Sequence, residues 1–122
     1  GEEKAYMLEP SGKLNSTIFD LKQLISFRKR LVREMAGYKA SSSERKAMYG
    51  KDAGKVILKV SKTMIDVYKK EIYKVEREIL QLIESDESLN RNYQILKSVK
   101  GIGPVNAWMT IVYTENFKAF TD

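Results

Sequence analysis

A run of apolar side chains between residues 61 and 82 constrains the fold more than any other feature of the chain. Its members recur at alternating steps of four and three, which is a heptad pattern with a polar first position. The pattern predicts a helix from about Lys55 to Ser85, about 45 Å long. Such a helix needs a packing partner along its length. The members are Ser61, Ile65, Tyr68, Ile72, Val75, Ile79 and Leu82.

A second amphipathic pattern precedes the first and supplies one possible partner. Apolar residues recur at helical spacing from Leu14 to Tyr38, and Asn15 or Ser16 is a suitable cap for a helix that begins there. The stretch at 41–54 contains three serines and two glycines, so we expect a connection, either irregular throughout or with one or two helical turns inside it, and the serine triplet in a loop. The spacing leaves open whether the two helices form an antiparallel hairpin within one chain or a coiled coil between chains.

The predicted organisation is therefore all-α, in three segments. Residues 1–14 form a lead-in segment, 15–85 the long-helix region, and 86–122 a shorter helical region. Ser85, Asp86 and Ser88 are candidate caps, and a short helix is expected from about Leu89 to Val99. Rings such as Tyr68 and Tyr113 are expected in the core or an interface.

Composition limits the chemistry of this 122-residue chain. It has no histidine and no cysteine, so an imidazole base, a thiol nucleophile and the commonest zinc ligands are all missing. Asp66 has no second carboxylate at helical spacing, which disfavours a two-metal site. No apolar stretch approaches the ~20 residues of a membrane span. We therefore expect no enzyme, no cofactor and no membrane partner for this chain.

The charge of the chain is unevenly distributed. Residues 13–74 carry 16 Lys/Arg against 6 Asp/Glu, whereas residues 75–122 carry 5 against 7. A positive region of this kind favours a polyanionic partner, although a solvated helix surface has the same composition. Within it lies the basic stretch "FRKRLVR", Phe27 to Arg33.

The most specific motif is "LKSVKGIGPVNAW", Leu96 to Trp108. A glycine after a helix can take the positive φ that ends it, and proline suits the first turn of the next helix. A tight turn followed by a helix N-terminus leaves amides that can hold a phosphate. A purely structural corner between two core helices is the alternative. The candidate site residues are Lys97, Lys100, Gly101, Ile102, Gly103 and Val105, mainly through main-chain amides.

This pattern resembles the helix-hairpin-helix motif, in which alanine follows four residues after the second glycine. The longer stretch from Tyr93 to Phe120 resembles the start of the C-terminal domain of insertion-sequence transposases of the one-ten class. Residues that match include Leu96, Ser98, Val99, Gly101, Ile102, Gly103, Pro104, Ala107, Glu115 and Phe120, whereas Lys100 stands where that family usually has proline. "LKQLISFRKRLVREMAGYK" is similar to the helix that follows the family's catalytic N-terminal domain.

The resemblance implies a role but no catalytic residue. Family members carry a RuvC-like domain with four acidic metal ligands and a catalytic serine downstream of the hairpin, and this chain contains neither segment. It implies a non-catalytic central fragment that binds DNA and a structured guide RNA, associates as a homo-oligomer through its long helices, and works in the bacterial cell interior on the nucleoid. Arg28, Arg30 and Arg33 of "FRKRLVR" would then contact the nucleic-acid backbone, each adding a salt-dependent contribution, and a solvated helix face is the alternative. The competing hypothesis is a purely structural dimerisation module.

Overall fold

All regular secondary structure is α-helix in the part that the computed structural model describes, residues 10–52 and 54–117. The all-α prediction is confirmed. The four helices of this part are α1 (Pro10–Tyr49), α2 (Lys55–Glu84), α3 (Glu87–Ser98) and α4 (Pro104–Tyr113).

The helices contribute to two compact units. Among the described residues, unit 1 comprises 10–25 and 78–117, and unit 2 is Ser26–Arg77. The first two helices therefore each contribute to both units. This division follows packing in space, whereas the predicted segments 1–14, 15–85 and 86–122 follow the order of the chain.

Unit 2 is an antiparallel pair of helices from one chain. Arg28 of α1 contacts Glu76 of α2, and Glu34 of α1 contacts Tyr68 of α2. Since the second contact lies later in α1 but earlier in α2, the two helices run in opposite directions. The rings of Tyr38 and Tyr68 are also neighbours, with centroids 5.8 Å apart. In this unit the two long helices therefore pair within one chain.

The core of unit 1 is apolar and draws on all four helices. The end of α2 is joined to α3 by a turn in which Asp86 caps α3, accepting a hydrogen bond from the Leu89 amide at 2.9 Å. Ala107 is fully buried, as its small size at a helix–helix approach predicts. The buried side chains are Ile18, Leu21, Ile25, Ile79, Ile83, Leu89, Tyr93, Ala107, Trp108, Ile111 and Val112.

The start of α1 differs from the prediction. The helix begins at Pro10 instead of Asn15 or Ser16, so part of the expected lead-in segment is helical. Proline is tolerated in a first turn, where its missing N–H has no helical acceptor to lose. Residues 1–9 lie outside the described part of the chain.

The serine triplet is also not a loop. Ser41, Ser42 and Ser43 lie inside α1, which continues to Tyr49. Serine costs only about half a kcal/mol in a helix, and the neighbouring Ala, Glu, Arg and Lys residues are good helix formers. The helix stops at Gly50, whose φ of +83° is the left-handed conformation typical of a terminating glycine.

Candidate nucleic-acid interface

The connection from α3 to α4 is a tight turn of five residues, 99–103. Val99 leaves the helical conformation with ψ 127°, and its carbonyl accepts a hydrogen bond from the Ile102 amide at 3.2 Å. Gly101, inside that turn, has φ +92°. A side chain at this φ is strained, so the turn requires glycine at this position.

The first turn of α4 has exposed amides without an internal acceptor. Gly103 is the N-cap residue, and as a glycine it provides no capping side chain. Its carbonyl accepts the Ala107 amide at 3.0 Å, which closes the first turn. Within the described residues, the amides of Gly103, Val105 and Asn106 donate no hydrogen bond, and all three residues are exposed. A helix N-terminus of this kind attracts anions.

Neither a positive φ nor close packing requires glycine at Gly103. Its φ of −86° is accessible to any residue, and a Cβ built on it meets no atom within 4 Å. The same open space surrounds Gly101, but there the positive φ accounts for the glycine. A bare backbone at Gly103 therefore leaves room for a group that approaches from outside the protein.

Three of the predicted hairpin residues present their side chains to solvent. Lys100 and Val105 are exposed, and so is Lys97, whose ammonium lies over the Tyr93 ring at 5.3 Å from its centroid. Ile102 differs from the prediction in one respect. Its amide already donates to the Val99 carbonyl, so it is not a donor for an external phosphate, and its side chain is half-buried.

The three predicted arginines belong to unit 2 and have different environments. Arg28 is partly buried and its Nε donates to Glu76 Oε2 at 2.9 Å. This arrangement makes Arg28 a structural residue and corrects its assignment as a solvent-facing phosphate contact. Arg30 pairs with Glu34 at 2.9 Å on the exposed side, and Arg33 is exposed. Arg30 and Arg33 remain placed to meet a ligand from solvent.

Glu34 is the centre of a small polar network in unit 2. Its carboxylate accepts hydrogen bonds from Arg30 at 2.9 Å and from the Tyr68 hydroxyl at 2.8 Å. These bonds, the one from Arg30 first, hold the pKa of the Glu34 carboxyl below its ordinary value. The bond to Glu34 raises the pKa of the Tyr68 hydroxyl. The network ties the exposed arginine face to the interhelical contact.

Asn116 is a structural residue that no sequence pattern indicated. It follows α4 in a run of three left-handed residues, 115–117. Its side chain accepts a bond from Asn92 Nδ2 at 2.7 Å and donates to Ser88 Oγ at 2.8 Å. Asparagine tolerates this backbone conformation better than most residues. These bonds tie the end of α4 to α3 and so help to fix the helices on both sides of the glycine turn.

Among residues 10–52 and 54–117, no three acidic side chains cluster closely enough to hold a metal ion. No helix in these ranges combines the length and apolar character needed to cross a membrane. Phe120, one of the residues behind the family resemblance, lies outside the described residues.

Comparison of the chain with known protein families, with curated proteins and with solved structures finds no match.

Proposed function

We propose that the chain is the non-catalytic central portion of an insertion-sequence transposase of the one-ten class, and that it binds the sugar-phosphate backbone of nucleic acid. The observation that carries this proposal is the bare, exposed first turn of α4, with the amides of Gly103, Val105 and Asn106 lacking an internal acceptor within the described residues. A phosphodiester oxygen is the anion that such amides accommodate in DNA and RNA.

Two side chains beside the turn support the same chemistry. Lys97 and Lys100 are exposed, and each adds positive charge near the N-terminus of α4. Each lysine that neutralises a phosphate steepens the dependence of log affinity on log salt by about 0.9. Main-chain and lysine contacts do not read base edges, so the proposed interaction has little sequence preference.

The basic face of unit 2 is a second proposed contact with a polyanion. It consists of Arg30 and Arg33, since Arg28 is engaged with Glu76. In the proposed parent protein this face would meet the structured guide RNA or the DNA. Subunit association through the long helices is part of the same proposal. It would use faces other than the one on which α1 and α2 contact each other.

The experiment is a fluorescence-anisotropy titration of a labelled DNA duplex at several salt concentrations. We expect Gly103→Val to weaken binding, because the added side chain projects into the space a phosphate needs, while the helix content is retained. Gly37→Val is the matched control, since this exposed glycine also has nothing within 4 Å of a built Cβ. Equal affinities for the two variants would count against the turn as a binding site.

A dimerisation module is the second candidate, and one observation favours it. Val56, Val60 and Val67 are exposed by 75%, 55% and 46%, and the last two lie one heptad apart on α2. Such a stripe suits a second helix. A mass that depends on concentration, without DNA affinity at low salt, would support this function in place of the first.

A further inference from the structure

A groove of about 410 Å³ lies within unit 2, between the second half of α1 and the first half of α2. The sequence prediction treated this part of α1 as a loop, so it could not anticipate the groove. The helical spacing brings Ser42 and Lys46 to one face of α1, and Lys59 and Lys62 to one face of α2. The lining residues are Ser42, Lys46, Leu58, Lys59, Lys62 and Ile65.

The lysines around the groove have no carboxylate to balance them. Within the described residues, none of Lys46, Lys59 and Lys62 forms an ion pair, and the pairs of unit 2 lie elsewhere. The surrounding stretch, residues 39–62, carries seven Lys/Arg against two Asp/Glu. Three like charges that converge on one groove repel one another, and a bound anion relieves that repulsion.

A hydroxyl in the groove also lacks a partner. Ser42 Oγ is buried and makes no hydrogen bond with the described residues. Threonine hydroxyls in the same protein bond to the carbonyl four residues earlier, as Thr63 does to Lys59 at 3.2 Å and Thr110 to Asn106 at 2.8 Å. A buried hydroxyl without a partner is unfavourable, and it can donate a hydrogen bond to an anionic oxygen that reaches it.

The remaining lining selects the kind of anion. Leu58 and Ile65 give the groove an apolar wall, against which a flat ring can pack. One water takes about 30 Å³ of liquid, and a phosphate has only five heavy atoms. The groove, at about 410 Å³, therefore has room for a ligand larger than a bare phosphate. A phosphate attached to a heterocyclic base satisfies both the charged rim and the apolar wall.

We propose that this groove binds one nucleotide unit of a nucleic acid, with its phosphate at Lys46, Lys59, Lys62 and Ser42 and its base against Leu58 and Ile65. The inference deepens the proposed function and rests on it for the choice of a nucleotide as ligand. The groove lies on residues separate from the glycine turn, so the two contacts can be tested independently.

The experiment follows backbone amide resonances of the whole chain during titration with adenosine monophosphate at constant ionic strength. We expect saturable shifts at the lining residues, weaker binding of inorganic phosphate, and no saturation with adenosine. Lys59→Ala/Lys62→Ala should weaken adenosine monophosphate binding by about tenfold, the effect of losing charged hydrogen bonds. Ser42→Ala should weaken adenosine monophosphate binding less while keeping the helix.

The control is Lys69→Ala/Lys70→Ala, which removes the same charge from α2 outside the groove. It should change the affinity for adenosine monophosphate by less than about twofold.

Three results would overturn the inference: no saturable shift at the lining residues, equal losses in the two lysine pairs, or equal binding of adenosine. None of them depends on the glycine turn. If Gly103→Val weakens duplex binding but adenosine monophosphate does not bind, only the groove is wrong. If adenosine monophosphate binds the groove and duplex binding is present but unaffected by Gly103→Val, only the proposed role of the turn is wrong.

Discussion

Arg28 donates its Nε hydrogen to Glu76 Oε2 across 2.9 Å, joining two residues that are 48 positions apart. Both side chains are partly shielded from solvent, at 20% and 30% exposure. The pair fixes the register of the two antiparallel helices in unit 2. It also removes Arg28 from the set of charges available to a ligand.

Substitution of Arg28 should therefore reduce stability more than it reduces nucleic-acid binding. We expect Arg28→Ala to lower the free energy of unfolding by about 1–2 kcal/mol, because Glu76 loses a partner in a partly desolvated site. Urea denaturation measures this change. Arg33→Ala is the control and should change stability by less than about 0.5 kcal/mol. Similar stabilities for the two variants would show that the pair contributes nothing.

The Glu34 network predicts a pH dependence. Because the pKa of Glu34 is lowered in the folded state, its contribution to stability is present above the ordinary glutamate pKa of about 4 and is lost as the pH falls through the folded value. Urea denaturation at neutral and acidic pH should show a smaller acid-induced loss in Glu34→Gln than in the unmodified chain. The exposed Glu44 gives the control Glu44→Gln, which should retain the full loss. Identical pH profiles for all three would contradict the assigned role.

The same network predicts that stability changes with pH in the alkaline range as well. The raised pKa of Tyr68 means that its contribution is present below the ordinary tyrosine pKa of about 10 and is lost as the pH rises through the folded value. Tyr68→Phe keeps the ring beside Tyr38 and removes the hydroxyl. Its unfolding free energy should therefore depend less on pH in the alkaline range than that of the unmodified chain. Tyr113→Phe, which alters an exposed ring, is the control.

The two glycines of the turn should respond differently to alanine. Gly101→Ala should lower the unfolding free energy by about 1–2 kcal/mol, because a Cβ is unfavourable at φ +92°. Gly103→Ala should change it by less than about 1 kcal/mol, since its φ suits any residue and the unfolded chain loses freedom, whereas alanine is a poorer N-cap than glycine. Thermal unfolding of both variants measures the difference. Equal losses would mean that the turn is strained at both positions.

Much of the helical scaffold is predictable because it depends on local patterns. The heptad spacing predicts a helix over 55–85, and the observed α2 is Lys55–Glu84. The prediction succeeds because the apolar residues keep a helical period over about eight turns. The proline and glycine signals likewise place the start of α4 at Pro104. The serine triplet misleads, because serine is a weak signal that tertiary packing and good neighbouring helix formers override.

The candidate site is only partly predictable. The positive φ of Gly101 follows from its position after a helix, and the structure has it. The internal bond of the Ile102 amide depends on the detailed backbone path of the turn, which no residue type specifies. The partner of Arg28 and the facing lysines of the groove depend on how α1 and α2 are aligned, and that alignment is a long-range property.

Asn116 offers a test of the end of α4. Asn116→Ala should lower the unfolding free energy by about 2 kcal/mol, because two side-chain hydrogen bonds are lost and alanine is less suited to φ +61°. Asn116→Gly keeps the backbone conformation and loses only the bonds, so it separates the two causes. Urea denaturation with Asn15→Ala as an exposed control makes the comparison. A loss no larger than that of the control would remove Asn116 from the structural account.

The most direct test of the central claim follows the backbone amide resonances of the whole chain as a short DNA duplex is added. If the first turn of α4 holds a phosphodiester, the amides of Gly103, Val105 and Asn106 should shift early and together, and the internally bonded Ile102 amide should shift less. The shifts should diminish as salt is raised. Duplex binding that leaves these three amides unshifted, or no binding at low salt, would contradict the account.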